Sequence, residues 1–438
     1  MDFRGRKVTI MGLGRHGGGV AAARYCALAG GIVTVTDLAD RTALAESLAA
    51  LRDVPIEKVT IGQHCETDFS TAHIVVVNPA VKPGDPHVEL ARQAGATITS
   101  EIELFLNACP ATVIGVTGTV GKSTTAAMLT AILQAADRRT WLGGNIGRSL
   151  LVDLPRIQSG DIVVLEMSSF QVHWLNNTAR WPKAAIVTNC LPNHLDWHGD
   201  WEHYAASKRR LISHLSTGSV AVLNPHDAEM RRWRSEYQNA KFCSELLETM
   251  PPMRVPGEHN QINAACAATM AKQLDVDDKT IAGALASFTG LPHRLRFVTE
   301  VAGCSFHNDS KSTTPAATIA ALNAMDRPTW LLLGGADKKT EWSGFVKSTV
   351  QRVQGVAVFG SVSSKLYELF CRVGEVSRKP FSCFRCDTLA EALACAWQNS
   401  TAGQAILLSP ACPSTDQFRD FAHRGEEFER LVQALQVA

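Results

Sequence analysis

The stretch Thr112–Thr125, TVIGVTGTVGKSTT, decides the fold, because it reads as strand, glycine loop and helix start in one run. Thr112, Val113, Ile114 and Val116 favour extended backbone. Beyond the loop, apolar Ala126, Met128, Leu129 and Leu133 recur at helical spacing. Bare N–H groups over Gly118, Thr119, Val120 and Gly121, with the positive end of the helix dipole, make a cradle for a phosphate. Lys122 would reach the β- and γ-phosphates, while Ser123 or Thr124 would offer a hydroxyl to Mg²⁺. The strict pattern has a glycine where this chain carries Val116, and Gly118 supplies the flexibility instead. A glycine–lysine pair opening an ordinary surface helix is the bland alternative. The strand directly before it argues for an ATP site.

A chain of 438 residues holds two or three domains. With 45% hydrophobic and 19% charged residues it has the balance of a soluble enzyme. Lys plus Arg (43) against Asp plus Glu (42) leaves +1, so bulk charge favours neither nucleic acid nor an anionic membrane as partner. Of the twelve cysteines only Cys383 and Cys386 make a CxxC, without a second pair, which points to reduced thiols and not zinc. The opening MDFRGRKVTIMGLG enters a strand without an apolar leader, and no apolar run approaches ~20 residues. A cytoplasmic monomer is expected.

Lys7–Met11 leads into Gly12-Leu13-Gly14-Arg15-His16-Gly17, a complete GxGxxG, and a helix rich in small residues. A second strand, Ile32–Thr36, ends at Asp37, placed for a ribose hydroxyl. Alone this fingerprint fits an NAD(P)-dependent oxidoreductase. The same geometry serves any diphosphate-linked nucleoside, since the helix N-terminus recognises phosphates. Strand Ile74–Val77 then brings Asn78-Pro79-Ala80 to the carboxyl edge of the sheet. A domain boundary is expected near Thr99–Ser100.

In the middle, Trp141–Gly147 reads as a glycine-rich turn carrying the ligand-binding amide Asn145. Strand Asp161–Leu165 delivers Glu166, a Mg²⁺ partner or a surface-capping acid. After strand Ala184–Asn189 comes NHLDWH, whose His194 could bind a second Mg²⁺ or orient substrate, although a lone loop histidine usually does neither. Helix Trp201–His214 carries Ser207-Lys208-Arg209-Arg210, which by spacing is a solvated basic face. In the last third, strands Phe297–Val301, Ser305–Asp309, Thr329–Leu333, Gly355–Phe359 and Ala405–Leu408 alternate with helices, predicting a third sheet. Its loops bear Lys311, Thr313, Lys338, Ser414 and Phe421; a fixed cation and hydroxyls suit an amino acid's carboxylates. Phe421 by periodicity belongs to a core.

TGTVGKST, GGNIG, LEMSSFQ, NHLDWH, YAASKRRL, GEHNQINA, GLPHR, NDSKST, LLLGGADKK and LLSPACPSTDQF occur in this order. Over essentially the whole chain the sequence resembles the Mur ligase family, in its glutamate-adding branch. The resemblance implies an α/β protein of three domains: a Rossmann-like UDP-binding domain (1–99), a central P-loop ATPase domain with a mostly parallel sheet (100–290) and a Rossmann-like amino-acid-binding domain (291–438). It implies an ATP-dependent amide ligase of peptidoglycan precursor synthesis, adding D-glutamate to UDP-N-acetylmuramoyl-L-alanine through an acyl phosphate. By matching motifs, Lys122, Ser123 and the loop around them hold the triphosphate, with Asn263, Arg294 and Asp309 as further nucleotide contacts. Asn145 and Glu166 assist substrate and Mg²⁺, and His194 holds a second Mg²⁺. Lys208 matches the family's lysine that takes up CO₂ as a metal-binding carbamate. Gly14, Arg15, His16, Asp37 and Asn78 would meet the UDP portion, and Thr313, Lys338, Ser414 and Phe421 the incoming glutamate. The chain departs from the pattern at Asn193, where an acid is usual, and at Arg296, where relatives often have Glu. A sibling ligase using L-glutamate, another amino acid or a folate is the alternative.

Overall fold

The computed structural model describes residues 1–146, 148–247, 250–255, 257–337, 340–375 and 381–435. Residues Met1–Met250 and Ile262–Ala284 form one compact unit, and Pro251–Gln261 with Leu285–Ala438 form another. The fold is α/β, built among the described residues on three largely parallel sheets.

The first unit holds two of them. Strands β1 (Lys7–Met11), β2 (Ile32–Asp37), β3 (Ile56–Ile61), β4 (Ile74–Val77) and β5 (Thr97–Ser100) lie in the order β3-β2-β1-β4-β5, all parallel. β4 reads IVVV and is buried along its whole length, as a parallel strand covered on both faces requires. The strand order reverses between β1 and β4, opening a crevice at their carboxyl ends. Strands β6 (Thr112–Thr117), β7 (Thr140–Gly144), β8 (Ile162–Glu166), β9 (Ala184–Val187), β10 (Val220–Leu223) and β11 (Ala240–Phe242) follow in the order β11-β10-β9-β6-β8-β7. Here the reversal falls at β6, which pairs with β8 on one side and β9 on the other. The expected glycine-rich turn at Trp141 is instead strand: β7 pairs with β8 through Gly144, whose carbon lies too close to the Glu166 backbone for a side chain. One core joins the two sheets, with Val8, Ile10 and Ala22 packed in the same cluster as Ile102, Phe105, Leu150 and Leu165.

The second unit carries β12 (Arg296–Val301), β13 (Cys304–Asn308), β14 (Thr329–Gly334), β15 (Val353–Phe359), β16 (Ser382–Arg385) and β17 (Ala405–Leu408), in the order β12-β13-β17-β14-β15-β16. Only β12 runs antiparallel, against β13. Its core includes Leu331, Leu333, Val356, Val358 and Phe370 on one face and Phe306, Leu332, Ile406 and Phe428 on the other.

Candidate active site

β6 ends at Thr117 and the chain turns through Gly118–Gly121 into helix Lys122–Ala135. Glycine is required twice. Gly118, at φ +152°, lies against Thr188 Oγ1, where a Cβ would collide; Gly121, at φ +85°, lies against Asn263 Oδ1. Asn189 holds the loop, its Oδ1 accepting from the N–H groups of Thr119 and Val120 at 3.0 Å each. Thr119 Oγ1 lies 2.7 Å from the Tyr204 hydroxyl.

Two lysines converge on one carbonyl. Lys122 Nζ donates to Gly118 O and Thr119 O, each at 3.0 Å, and Lys208 Nζ donates to Gly118 O at 2.8 Å. Lys208 is 1% exposed, so the solvated basic face read from the sequence is wrong at this position. Its two neighbours differ: Arg209 pairs with Glu236, and Arg210 donates to the carbonyls of Val172, His173 and Leu175. Burial first, and then the charge of Lys122, pull the Lys208 pKa down to about 7, with Cys190 and Glu166 opposing. At neutral pH a large share of this amine is uncharged.

Glu166 closes β8 and is 1% exposed. Asn145 Nδ2 donates to its Oε1 at 2.8 Å, while the buried Oε2 has no partner among the described residues. Leaving a charged acceptor unmatched costs roughly 1–3 kcal/mol or more, so this oxygen suits an arriving cation. Ser123, in the first turn of the helix that opens at Gly121, is buried and carries a hydroxyl. His194 stands at φ +53° with its ring 4.9 Å from Phe170. Partial burial, then Lys208 and Lys122, hold it below the ordinary histidine pKa, and a neutral imidazole is the form that binds metal. Among the described residues no three His, Cys, Asp or Glu side chains gather as a metal cage. Magnesium fits that composition, since it takes one or two carboxylates and fills its shell with water and phosphate oxygens.

At the β1/β4 reversal lies a cavity of about 500 Å³, lined by Gly14, Arg15, His16, Asp37 and Asn78 and reaching Asn145 and Gln171. Asp37 accepts from Gly14 N–H at 2.9 Å and Ala39 N–H at 2.8 Å, so it fixes the glycine loop before any ligand arrives. Asn78 Nδ2 donates to Gly12 O at 3.1 Å, and a Cβ on Gly12 would stand 2.7 Å from Asn78 Cβ. Two further lining residues carry no sequence signal, Glu101 and Ser149, which share a hydrogen bond.

In the second unit, Asp309 is buried at the end of β13, accepting from Leu295 N–H at 3.0 Å and Ser409 Oγ at 2.7 Å. Burial pushes its carboxyl up to about 6, against those hydrogen bonds. Arg294 is exposed, Thr313 half-buried and Ser414 buried. Phe421, expected in a core, is half-buried with Lys311 Nζ 5.2 Å from its ring centre. Lys338 lies outside the described residues. The unforeseen residue is Arg424, fully buried, donating to the carbonyls of Ser310, Cys412 and Gly334 and to Ser310 Oγ. It ties the end of β14 to the loops that follow β13 and β17. Its helix, Phe421–Leu435, shows nothing in sequence to distinguish this arginine from its solvated neighbours.

Residues 116–250 match the family description Mur ligase middle domain, and residues 293–412 match Mur ligase, glutamate ligase domain. The chain is 34% identical to the UDP-N-acetylmuramoylalanine--D-glutamate ligase of Roseiflexus sp. (strain RS-1), covering 99% of this chain and 100% of that protein. It is 32% identical to the enzyme of the same name from Symbiobacterium thermophilum, over 98% of each. Among solved structures, a UDP-N-acetylmuramate-alanine ligase from Thermotoga maritima shares the fold with a TM-score of 0.57 at 17% identity, over 98% of this chain and 99% of that one.

Proposed function

The chain belongs to the Mur ligase family and is an ATP-dependent acid–amino-acid ligase of peptidoglycan synthesis; we propose that it joins D-glutamate to UDP-N-acetylmuramoyl-L-alanine, with the residues above in the following roles. The Gly12–Gly17 loop and Asp37 hold the UDP portion. Lys122 and the loop N–H groups hold the triphosphate of ATP. An oxygen of the substrate's alanine carboxylate attacks the γ-phosphorus and ADP leaves; the glutamate amine then attacks the acyl carbon and phosphate leaves. Lys122 meets the charge that develops on phosphate oxygens in the first step.

Ser123, Glu166, His194 and a carbamylated Lys208 would hold two Mg²⁺ ions, which when bound neutralise phosphate and acyl oxygens. The observation that carries this reading is the pair of lysines on Gly118 O beside the unmatched Glu166 Oε2. Two ammonium groups on one carbonyl repel each other, whereas a neutral Lys208 amine can add CO₂, lose a proton and present a carboxylate. Thr313, Lys338, Ser414 and Phe421 are assigned to the glutamate, with Lys311 Nζ 5.2 Å from the Phe421 ring centre. We take the chain as three domains, 1–99, 100–290 and 291–438, acting as a cytoplasmic monomer.

The test is phosphate release with UDP-N-acetylmuramoyl-L-alanine, ATP and Mg²⁺, comparing D- with L-glutamate. Release with the D-isomer alone is expected. Release with L-glutamate, or without any acceptor amino acid, overturns the assignment.

A further inference from the structure

Glu101 is the first residue of helix Glu101–Ala108, following the Ser100 cap, whose side chain accepts from Glu103 N–H at 3.3 Å. An acid at a helix start ordinarily faces water and complements the dipole. This one lines the 500 Å³ cavity instead, between the glycine loop of the first sheet and the Asn145 loop of the second. One carboxyl oxygen is hydrogen-bonded to Ser149 Oγ, and Ser149 is itself 7% exposed and accepts from Leu151 N–H at 3.2 Å. The other carboxyl oxygen makes no hydrogen bond among the described residues. The neighbouring acid on the helix, Glu103, is engaged elsewhere, accepting from the backbone and side chain of Asn176.

We propose that Glu101 and Ser149 form a carboxylic acid–hydroxyl pair that donates a hydrogen bond to an acceptor oxygen of the UDP-linked substrate, on its diphosphate or its acetamido sugar. The inference rests on the assignment of this cavity to that substrate. Burial pushes the Glu101 carboxyl up to about 7, with the Ser149 hydroxyl pulling the other way. The other ionisable groups lining the cavity are Arg15, His16 and Asp37, and each Asp37 oxygen accepts one backbone N–H. An ionised Glu101 would confront a diphosphate with like charge; the neutral acid offers it a donor. A proton is therefore part of the recognition, and an anionic ligand raises the affinity of Glu101 for that proton.

The experiment is calorimetric binding of UDP-N-acetylmuramoyl-L-alanine, and of UDP alone, to the full chain at pH 6.5 and 8.5. If only the protonated form binds, wild-type affinity falls roughly 25-fold between these pH values, with proton uptake seen as a buffer-dependent heat. Glu101→Gln keeps a neutral donor and should bind with nearly equal affinity at both pH values and without proton uptake. Glu101→Ala should bind weakly at both. A pH effect already present with UDP places the contact on the diphosphate; one present only with the whole substrate places it on the sugar. Equal pH dependence in wild type and Glu101→Gln overturns the pair while leaving the substrate site standing. No saturable binding of the UDP-linked substrate to wild type at either pH overturns the site and the pair together.

Discussion

The two glycine loops of the first unit make nearly the same turn for different ends. Helix Gly18–Leu28 begins on Gly17 at φ 83°, ψ −15°, and helix Lys122–Ala135 begins on Gly121 at φ 85°, ψ −15°, neither with a side-chain cap. Both therefore offer open N–H groups to an anion. Around the first loop stand Asp37 and Asn78, each occupied in holding backbone. Around the second stand Lys122, Lys208 and Glu166, with two lysine amines on one carbonyl and one carboxylate oxygen that has no partner among the described residues. Backbone shape supplies an anion site; the side chains behind it decide whether the anion is merely gripped or made to react.

The sharpest way to break this contrast is at Lys122. Lys122→Ala should lower the rate of phosphate release by about 10²–10³-fold or more, with an unchanged circular dichroism spectrum. Turnover near wild type would mean that the second loop only grips, like the first.

Lys208→Ala should fall nearly as far, and acetate should restore part of the activity by filling the space a carbamate would occupy. Lys208→Arg should stay inactive, because guanidinium cannot add CO₂. The sign of the pH effect follows from a pKa brought down from 10.5 to about 7: the reactive neutral amine is scarce below pH 7 and dominant above it. Enzyme stripped of CO₂ should therefore regain activity faster as pH rises from about 6 to 8 when the concentration of dissolved CO₂, the species the amine adds, is held constant. A fully active Lys208→Arg would return this residue to an ordinary basic helix face.

The backbone half of the comparison can be tested with alanine. Gly121→Ala combines a left-handed φ with a collision against Asn263 and should cost roughly 2–4 kcal/mol in urea unfolding. Asp37→Ala releases the first loop and should raise the KM for the UDP-linked substrate about tenfold while leaving the KM for ATP unchanged. A selective rise in the ATP KM would assign the nucleotides to the wrong loops. Smallest is Gly17→Ala: nothing lies within 4 Å of its added Cβ, so only the backbone strain of about 1 kcal/mol remains. Equal costs at Gly17 and Gly121 would show that surroundings contribute nothing.

Sequence reading located both loops because their glycines and strand runs are local signals. It missed β3, whose IEKVTI is exposed at several positions on a sheet edge, and β16, whose four residues carry no clear alternation. β7 hid behind Gly143 and Gly144, which read as turn, but Gly144 lies close against the Glu166 backbone and Gly143 against the Leu150 side chain. Among site residues, those in contiguous motifs were legible. Lys208 was recognisable by resemblance, yet its burial was not, since SKRR looks the same whether its lysine faces water or the loop. Glu101 and Arg424 escaped because their partners, Ser149 on one side and Ser310 and Gly334 on the other, lie far away in sequence.

Arg424 follows every strand of its own sheet in the chain, and this has a bearing on how the protein is made. A ribosome releases β12 to β17 before it releases the residue whose guanidinium holds the carbonyls of Ser310, Gly334 and Cys412. The end of β14 and the loops that follow β13 and β17 thus wait for their common donor until all six strands of the sheet have been made. The two strand–glycine–helix units at the front need nothing from that late segment for their turns, and N-terminal regions generally fold first during synthesis. The growing chain can form its two glycine turns early, while the loops after β13 and β17 are set only by a helix made after every strand of their sheet.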